Sequence, residues 1–205
     1  MTADAAFWDK IAPKYAKQPI SNVTAYEATL TRVRAHLKAT DRAIEFGAGT
    51  GSTALLLAPS VDRYLGTDLS EGMMAIAEEK RQAEGVPSLR FAVGEVRDFA
   101  AEDVTVALGF NLFHLVADME GDFRRIFDML PPGGLFIQKT PALARRWYLK
   151  PLVALLRSFG KAPSRVRFIS IDELDHAVEA AGFEIIETGL YPPSAPSRFI
   201  VARKP

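Results

Sequence analysis

A chain of 205 residues is the size of one domain, and at that length roughly 70% of the unfolded surface is buried on folding, enough for one substantial core. Hydrophobic residues make up 48% and charged residues 24%, the balance of an ordinary globular protein. The 25 basic and 25 acidic side chains cancel, which argues against a nucleic-acid partner, and the lack of cysteine excludes disulfides, thiolate metal sites and cysteine nucleophiles. In chain order, Phe7–Ala16 reads as an amphipathic helix with Phe7, Ile11 and Tyr15 at helical spacing, stopped by Gln18-Pro19. Thr24 and Glu27 read as a capping box for a second helix carrying Tyr26, Leu30, Val33 and Leu37. Arg42–Phe46 is a short apolar strand, followed by a glycine-rich turn and a helix over Ser52–Ala58. Strands over Val61–Gly66, Ser88–Val93, Val104–Phe110 and Gly134–Gln138 then alternate with helices over Glu71–Glu84 and through Phe123–Leu130. Ser170 and Glu173 cap a helix through Ala181, which Gly182 stops, and Glu184–Thr188 and Phe199–Ala202 close the chain as an antiparallel pair. The alternation predicts a doubly wound α/β sheet covered on both faces, in one domain over 1–205. No basic-then-apolar leader and no run of about 18 apolar residues is present, so the expected setting is cytoplasmic.

The most informative stretch is Glu45-Phe46-Gly47-Ala48-Gly49-Thr50-Gly51, where the first strand turns into a helix. Ligands of open parallel sheets bind at this carboxyl edge, where the strand order reverses. Glycines there let a ligand approach bare backbone. Asp68 ends the second strand and can accept hydrogen bonds from both hydroxyls of an adenosine ribose. Two cofactor classes fit. Gly49-Thr50-Gly51-Ser52-Thr53-Ala54 matches the dinucleotide pattern GxGxxA, which would make the chain an NAD(P)-dependent oxidoreductase. Read from Gly47 the spacing is GxGxG, and Glu45 adds a carboxylate beside the turn, where a pyrophosphate wants only amides. S-adenosylmethionine carries an ammonium and a sulfonium, and a nearby carboxylate favours both.

At these residues the chain resembles the class I S-adenosylmethionine-dependent methyltransferases, and the resemblance runs nearly its whole length. It implies a Rossmann-like sheet in the order 3-2-1-4-5-7-6 with an antiparallel last strand. It also implies a cofactor site made of Glu45, Gly47, Ala48, Gly49 and Gly51, with Asp68 on the ribose and Leu69 and Met73 in the loop after it. Glu95 and Val96, in Gly94-Glu95-Val96-Arg97-Asp98, are similar to the loop that reads the adenine edge, although Asp is commoner than Glu there. Phe7–Tyr15 is similar to the N-terminal helix of small-molecule members, so residues 1–40 would cover the cofactor, with Tyr15 near its methionine end. Leu130-Pro131-Pro132-Gly133-Gly134 looks like the turn into the fifth strand, and Ala107–Leu115 like the strand-four segment lining the transfer site. Asn111 would then contact cofactor or acceptor. His114 would be either a base or a packed structural histidine. The implied reaction is in-line methyl transfer to a small-molecule or lipid-like acceptor, leaving S-adenosylhomocysteine.

Other chemistry has no anchor: HExxH, GxSxG and GxxxxGK[ST] are missing, and no metal site is expected. Asn111-Leu112-Phe113-His114 is not the Asn/Asp-Pro-Pro-aromatic tetrad of nucleic-acid amino-group methylases. A non-catalytic S-adenosylmethionine-binding protein would carry the same glycines and acid. Between Lys139 and Ile171 lie seven basic residues, Arg145 to Arg167, and no Asp or Glu, interleaved with Trp147, Tyr148 and several leucines. Residues 140–170 would form a helical segment on the acceptor side, broken near Pro151. That segment is either an ordinary packed helix with snorkelling cations, or one that admits an acidic amphiphile or rests through 143–167 on an anionic membrane surface. The chain could serve as a monomer or a homodimer.

Overall fold

The computed structural model describes residues 3–99, 102–193 and 197–205. Two helices, α1 (Ala3–Ala16) and α2 (Val23–His36), precede a seven-stranded sheet. Its strands are β1 (Arg42–Phe46), β2 (Arg63–Asp68), β3 (Leu89–Val93), β4 (Val106–Phe110), β5 (Leu135–Pro141), β6 (Glu184–Leu190) and β7 (Ser197–Arg203). The order is β3-β2-β1-β4-β5-β7-β6, as the resemblance implies. Neighbours from β3 through β5 are parallel, and β7 runs antiparallel to both β5 and β6. The reversal point therefore lies between β1 and β4, whose carboxyl ends meet at Phe46 and Gly109.

Alternation along β1 shows why both faces are covered. Ala43 packs with Leu30, Val33, Leu55 and Tyr64 under α2 and α3 (Ser52–Leu57). Ile44 and Phe46 point the other way, into a cluster with Phe113, Phe123 and Phe136 under α5 (Met119–Met129) and α7 (Ile171–Ala180). Rings of that trio meet edge to face at 4.9–5.5 Å. Against the α4 helix (Glu71–Glu84), α1 adds a smaller cluster of Ala12, Ala48, Met73, Met74 and Ala77.

Caps set several boundaries. The Ser170–Glu173 box is present, with Ser170 Oγ accepting from Glu173 N at 3.1 Å and Glu173 accepting from Ser170 N at 2.8 Å. The Thr24–Glu27 box is not: Asn22 takes the free amides two residues earlier, accepting from Ala25 N at 2.9 Å, so Thr24 lies within α2. Asp118 likewise starts α5 before Phe123 by accepting from Gly121 N. After β5, a tight helical turn over Ala144–Leu149 leads into α6 (Lys150–Ser158). Pro151 falls in the first turn of α6, where no amide partner is needed, and so starts that helix.

Candidate active site

One cleft opens at the carboxyl edge of β1, β2 and β4. It is lined by Gly47 and Gly49 from the first turn, Asp68, Leu69 and Met73 from the second, Glu95 and Val96 from the third, and Asn111 after β4. The glycine turn is held against β2: Ala48 N donates to Thr67 O at 2.8 Å, and Gly49 N donates to Asp68 Oδ2 at 3.0 Å. Asp68 Oδ1 accepts from Ser70 N at 3.0 Å. Burial raises the Asp68 carboxyl, and the Ser70 and Gly49 amides draw it back.

The glycines of the turn do different jobs. A Cβ at Gly49 would meet only Tyr15, at 3.8 Å, so its φ of +55° leaves bare backbone facing the cleft. At Gly51 a Cβ would strike Phe91 at 2.6 Å and Ala77 at 2.9 Å, so this glycine is required for packing of the helix layer on β2 and β3. Gly51 does not line the cleft, nor does Ala48, whose methyl belongs to the α1–α4 cluster.

Helix α1 covers one side, presenting Asp4, Trp8 and Tyr15 to the cleft. It is pinned by Asp9, whose Oδ1 accepts from Ser70 Oγ at 2.6 Å and from Gly72 N at 2.9 Å. At the far end, α5 contributes Asp118, Asp122 and Arg125. Burial pushes the Asp122 carboxyl up to about 6, although the Arg125 guanidinium lies 3.0 Å away. Asp4, Asp68, Glu95, Asp118 and Asp122 thus face one cleft against Arg97 and Arg125, of which Arg97 pairs with Glu95 at 2.5 Å.

Two further expected residues lie elsewhere. Glu45 shares the face of Ala43 by the two-residue period of β1 and turns away from the cleft. Its buried carboxylate accepts from the Tyr64 hydroxyl at 2.7 Å, and burial raises it to about 7. His114 is also outside the cleft lining. Its backbone O accepts from Arg167 N at 2.7 Å, Nδ1 is buried with no partner among the described residues, and burial drives the ring down to about 4. The basic segment reaches the cleft only at Pro163. Asp118 and Asp122 carry no motif, because a helix cap followed by an i, i+3 ion pair reads as an ordinary solvated helix start.

A family model described as "Methyltransferase domain" matches residues 17–188. The chain is 31% identical over 143 residues to a demethylmenaquinone methyltransferase of Thermus thermophilus, covering 63% of this chain and 62% of that protein. It is 27% identical over 171 residues to a highly reducing polyketide synthase of Penicillium soppii, covering 73% of this chain and 6% of that one. The chain therefore spans less than two thirds of each of these curated relatives. Among solved structures, the DhpI–SAH complex superposes with a TM-score of 0.76 at 19% identity, covering 98% of this chain and 95% of that one.

Proposed function

The chain belongs to the class I S-adenosylmethionine-dependent methyltransferases, and from that premise we propose that its acceptor is a small molecule or an amphiphile bound at the α5 end of the cleft. One observation carries this reading: a single continuous cleft joins Gly49 and Asp68 to Asp122 and Arg125. The residues fit the cofactor. Bare backbone at Gly49 leaves room for a close approach, the Asp68 carboxylate is at hand for ribose hydroxyls, and Met73, Leu69 and Val96 offer an apolar slot for a flat base. Five carboxylates against two guanidiniums make the cleft hospitable to a ligand bearing cations and poor for a pyrophosphate.

When bound, S-adenosylmethionine supplies a methyl group already activated by its sulfonium. The protein's share is orientation and charge placement. In this reading Asp68 holds the ribose, Gly47 and Asn111 flank the methionine end beneath Tyr15, and Glu95 with Val96 borders the adenine. Asp122 stands at the acceptor end with a carboxyl poised near 6, able to take an acceptor proton at neutral pH. His114, outside the cleft and held neutral, is a structural residue that shapes the loop after β4. Of residues 1–40, α1 covers the cofactor side while α2 packs on the sheet, and of residues 140–170 only Pro163 borders the acceptor side.

Calorimetric titration with S-adenosylhomocysteine and, separately, NADH tests the site. Asp68→Ala should weaken S-adenosylhomocysteine at least ~10-fold, the loss of one charged hydrogen bond of about 1.5–3 kcal/mol. Unchanged affinity in that variant removes Asp68 from the ribose, and NADH binding alone would overturn the cofactor fit.

A further inference from the structure

Helix α6 and the turn before it are the one amphipathic unit that the fold leaves uncovered among the described residues. No residue of Ala144–Ser158 is buried. Leu152, Leu155 and Phe159 recur at i, i+3 and i+7 and so share one face. That face points to solvent: Phe159 keeps 68% of its surface exposed, Leu155 56% and Leu152 51%, and Trp147 in the preceding turn keeps 68%. The less exposed edge is also apolar, made of Leu149, Val153 and Leu156, while the exposed cations make only light contacts, with Lys150 Nζ 5.5 Å from the Phe168 ring and Arg157 Nε donating to Pro163 O at 3.3 Å. The helix therefore carries more apolar surface than the fold covers.

We propose that this face docks on the surface of an anionic lipid bilayer. Charge selects the occupant. Residues 140–171 contain no acid, and Arg145, Arg146, Lys150, Arg157 and Lys161 are all exposed around the apolar face. Arg145, Arg146 and Lys161 enter no ion pair among the described residues. Indole and phenol rings at Trp147 and Tyr148 suit a boundary between headgroups and chains, and basic side chains are drawn to anionic headgroups. A second copy of the chain seated on the same face would set this acid-free cluster against its own like charges. The docked unit continues into the cleft mouth, since Pro163 lines the cleft and Ser164 N donates to Asp4 Oδ1 at 3.1 Å. An amphiphilic acceptor could therefore enter from the bilayer. That corollary rests on the proposed function, whereas the docking itself does not.

Co-sedimentation with phosphatidylcholine vesicles, with and without phosphatidylglycerol, tests the docking. The protein should prefer the anionic vesicles by at least ~10-fold, and the preference should fall as salt rises. Trp147 fluorescence should shift to the blue on binding, and the shift should vanish in Trp147→Phe, which keeps Trp8. The pair of changes Leu155→Glu and Phe159→Glu should abolish sedimentation while S-adenosylhomocysteine affinity stays unchanged, showing that the fold is intact. Lack of binding to anionic vesicles, or undiminished binding of the double variant, would overturn the proposal. So would a dimer in sedimentation velocity that the double variant disperses, since that gives the face to a second copy.

Discussion

Asp122 and His114 show how far residue type alone can mislead. A histidine near the end of the fourth strand is the natural choice for a base, yet a ring held near 4 is a weak one, and it lies outside the cleft. Asp122 is an aspartate in the first turn of a helix, where such residues are ordinary, but burial lifts it to about 6 inside the cleft. If it takes the acceptor proton, turnover should rise with pH through about 6 as the carboxylate forms, then level off. Asp122→Asn should lose that limb and cut turnover ~100-fold or more with little change in S-adenosylhomocysteine affinity. A pH–rate profile of both proteins is the check, and retention of the limb in the variant would sink the role. Asp68 and Gly49 are legible because their spacing encodes a strand–turn–helix–strand geometry. The position of Glu45 off the cleft is not legible, because a motif states which residues are near a turn but not which face of the strand each occupies.

At the scale of elements, the cleft's cover is fastened by few bonds. Helix α1 meets α4 in the cluster of Trp8, Ile11, Ala12, Met73, Met74 and Ala77 and through Asp9, which accepts both from the Ser70 hydroxyl and from the Gly72 amide. Its carboxylate is held below the usual range by those same bonds, the Ser70 hydroxyl foremost. Being near the surface, they are worth about 1 kcal/mol together after screening. Asp9→Ala should therefore speed amide hydrogen exchange in α1 about 5-fold and leave the central strands unchanged. Exchange in α1 that did not respond would mean the helix is held by its apolar contacts alone. Strand positions and most helix limits are readable from alternation and caps, whereas the strand order follows from the family resemblance. The orientation of α6 is not readable, because its period is the same whichever way the apolar face points, and only tertiary contact decides.

For the whole molecule, Glu45 couples global stability to pH. Its carboxyl is raised by burial from an ordinary 4.5 to about 7, so between those values the folded state holds a proton that the unfolded state releases. Stability then falls as pH rises across that window, by about 3 kcal/mol at most. Glu45→Gln keeps an acceptor for Tyr64 and removes the titration. Urea midpoints at pH 5 and pH 8 should converge in the variant relative to the wild-type chain, and an unaltered gap would assign the pH dependence to other groups.

The position of β7 bears on the order in which the fold can be completed. This strand lies between β5 and β6 and is hydrogen-bonded to both along its length, yet it is the last of the seven to leave the ribosome. Until Ser197–Arg203 emerges, β6 has no partner and β5 offers an open edge to any neighbouring chain. A nascent chain can thus assemble β1 through β4 and the turns that frame the cleft, while the far half of its sheet waits for Ser197–Arg203.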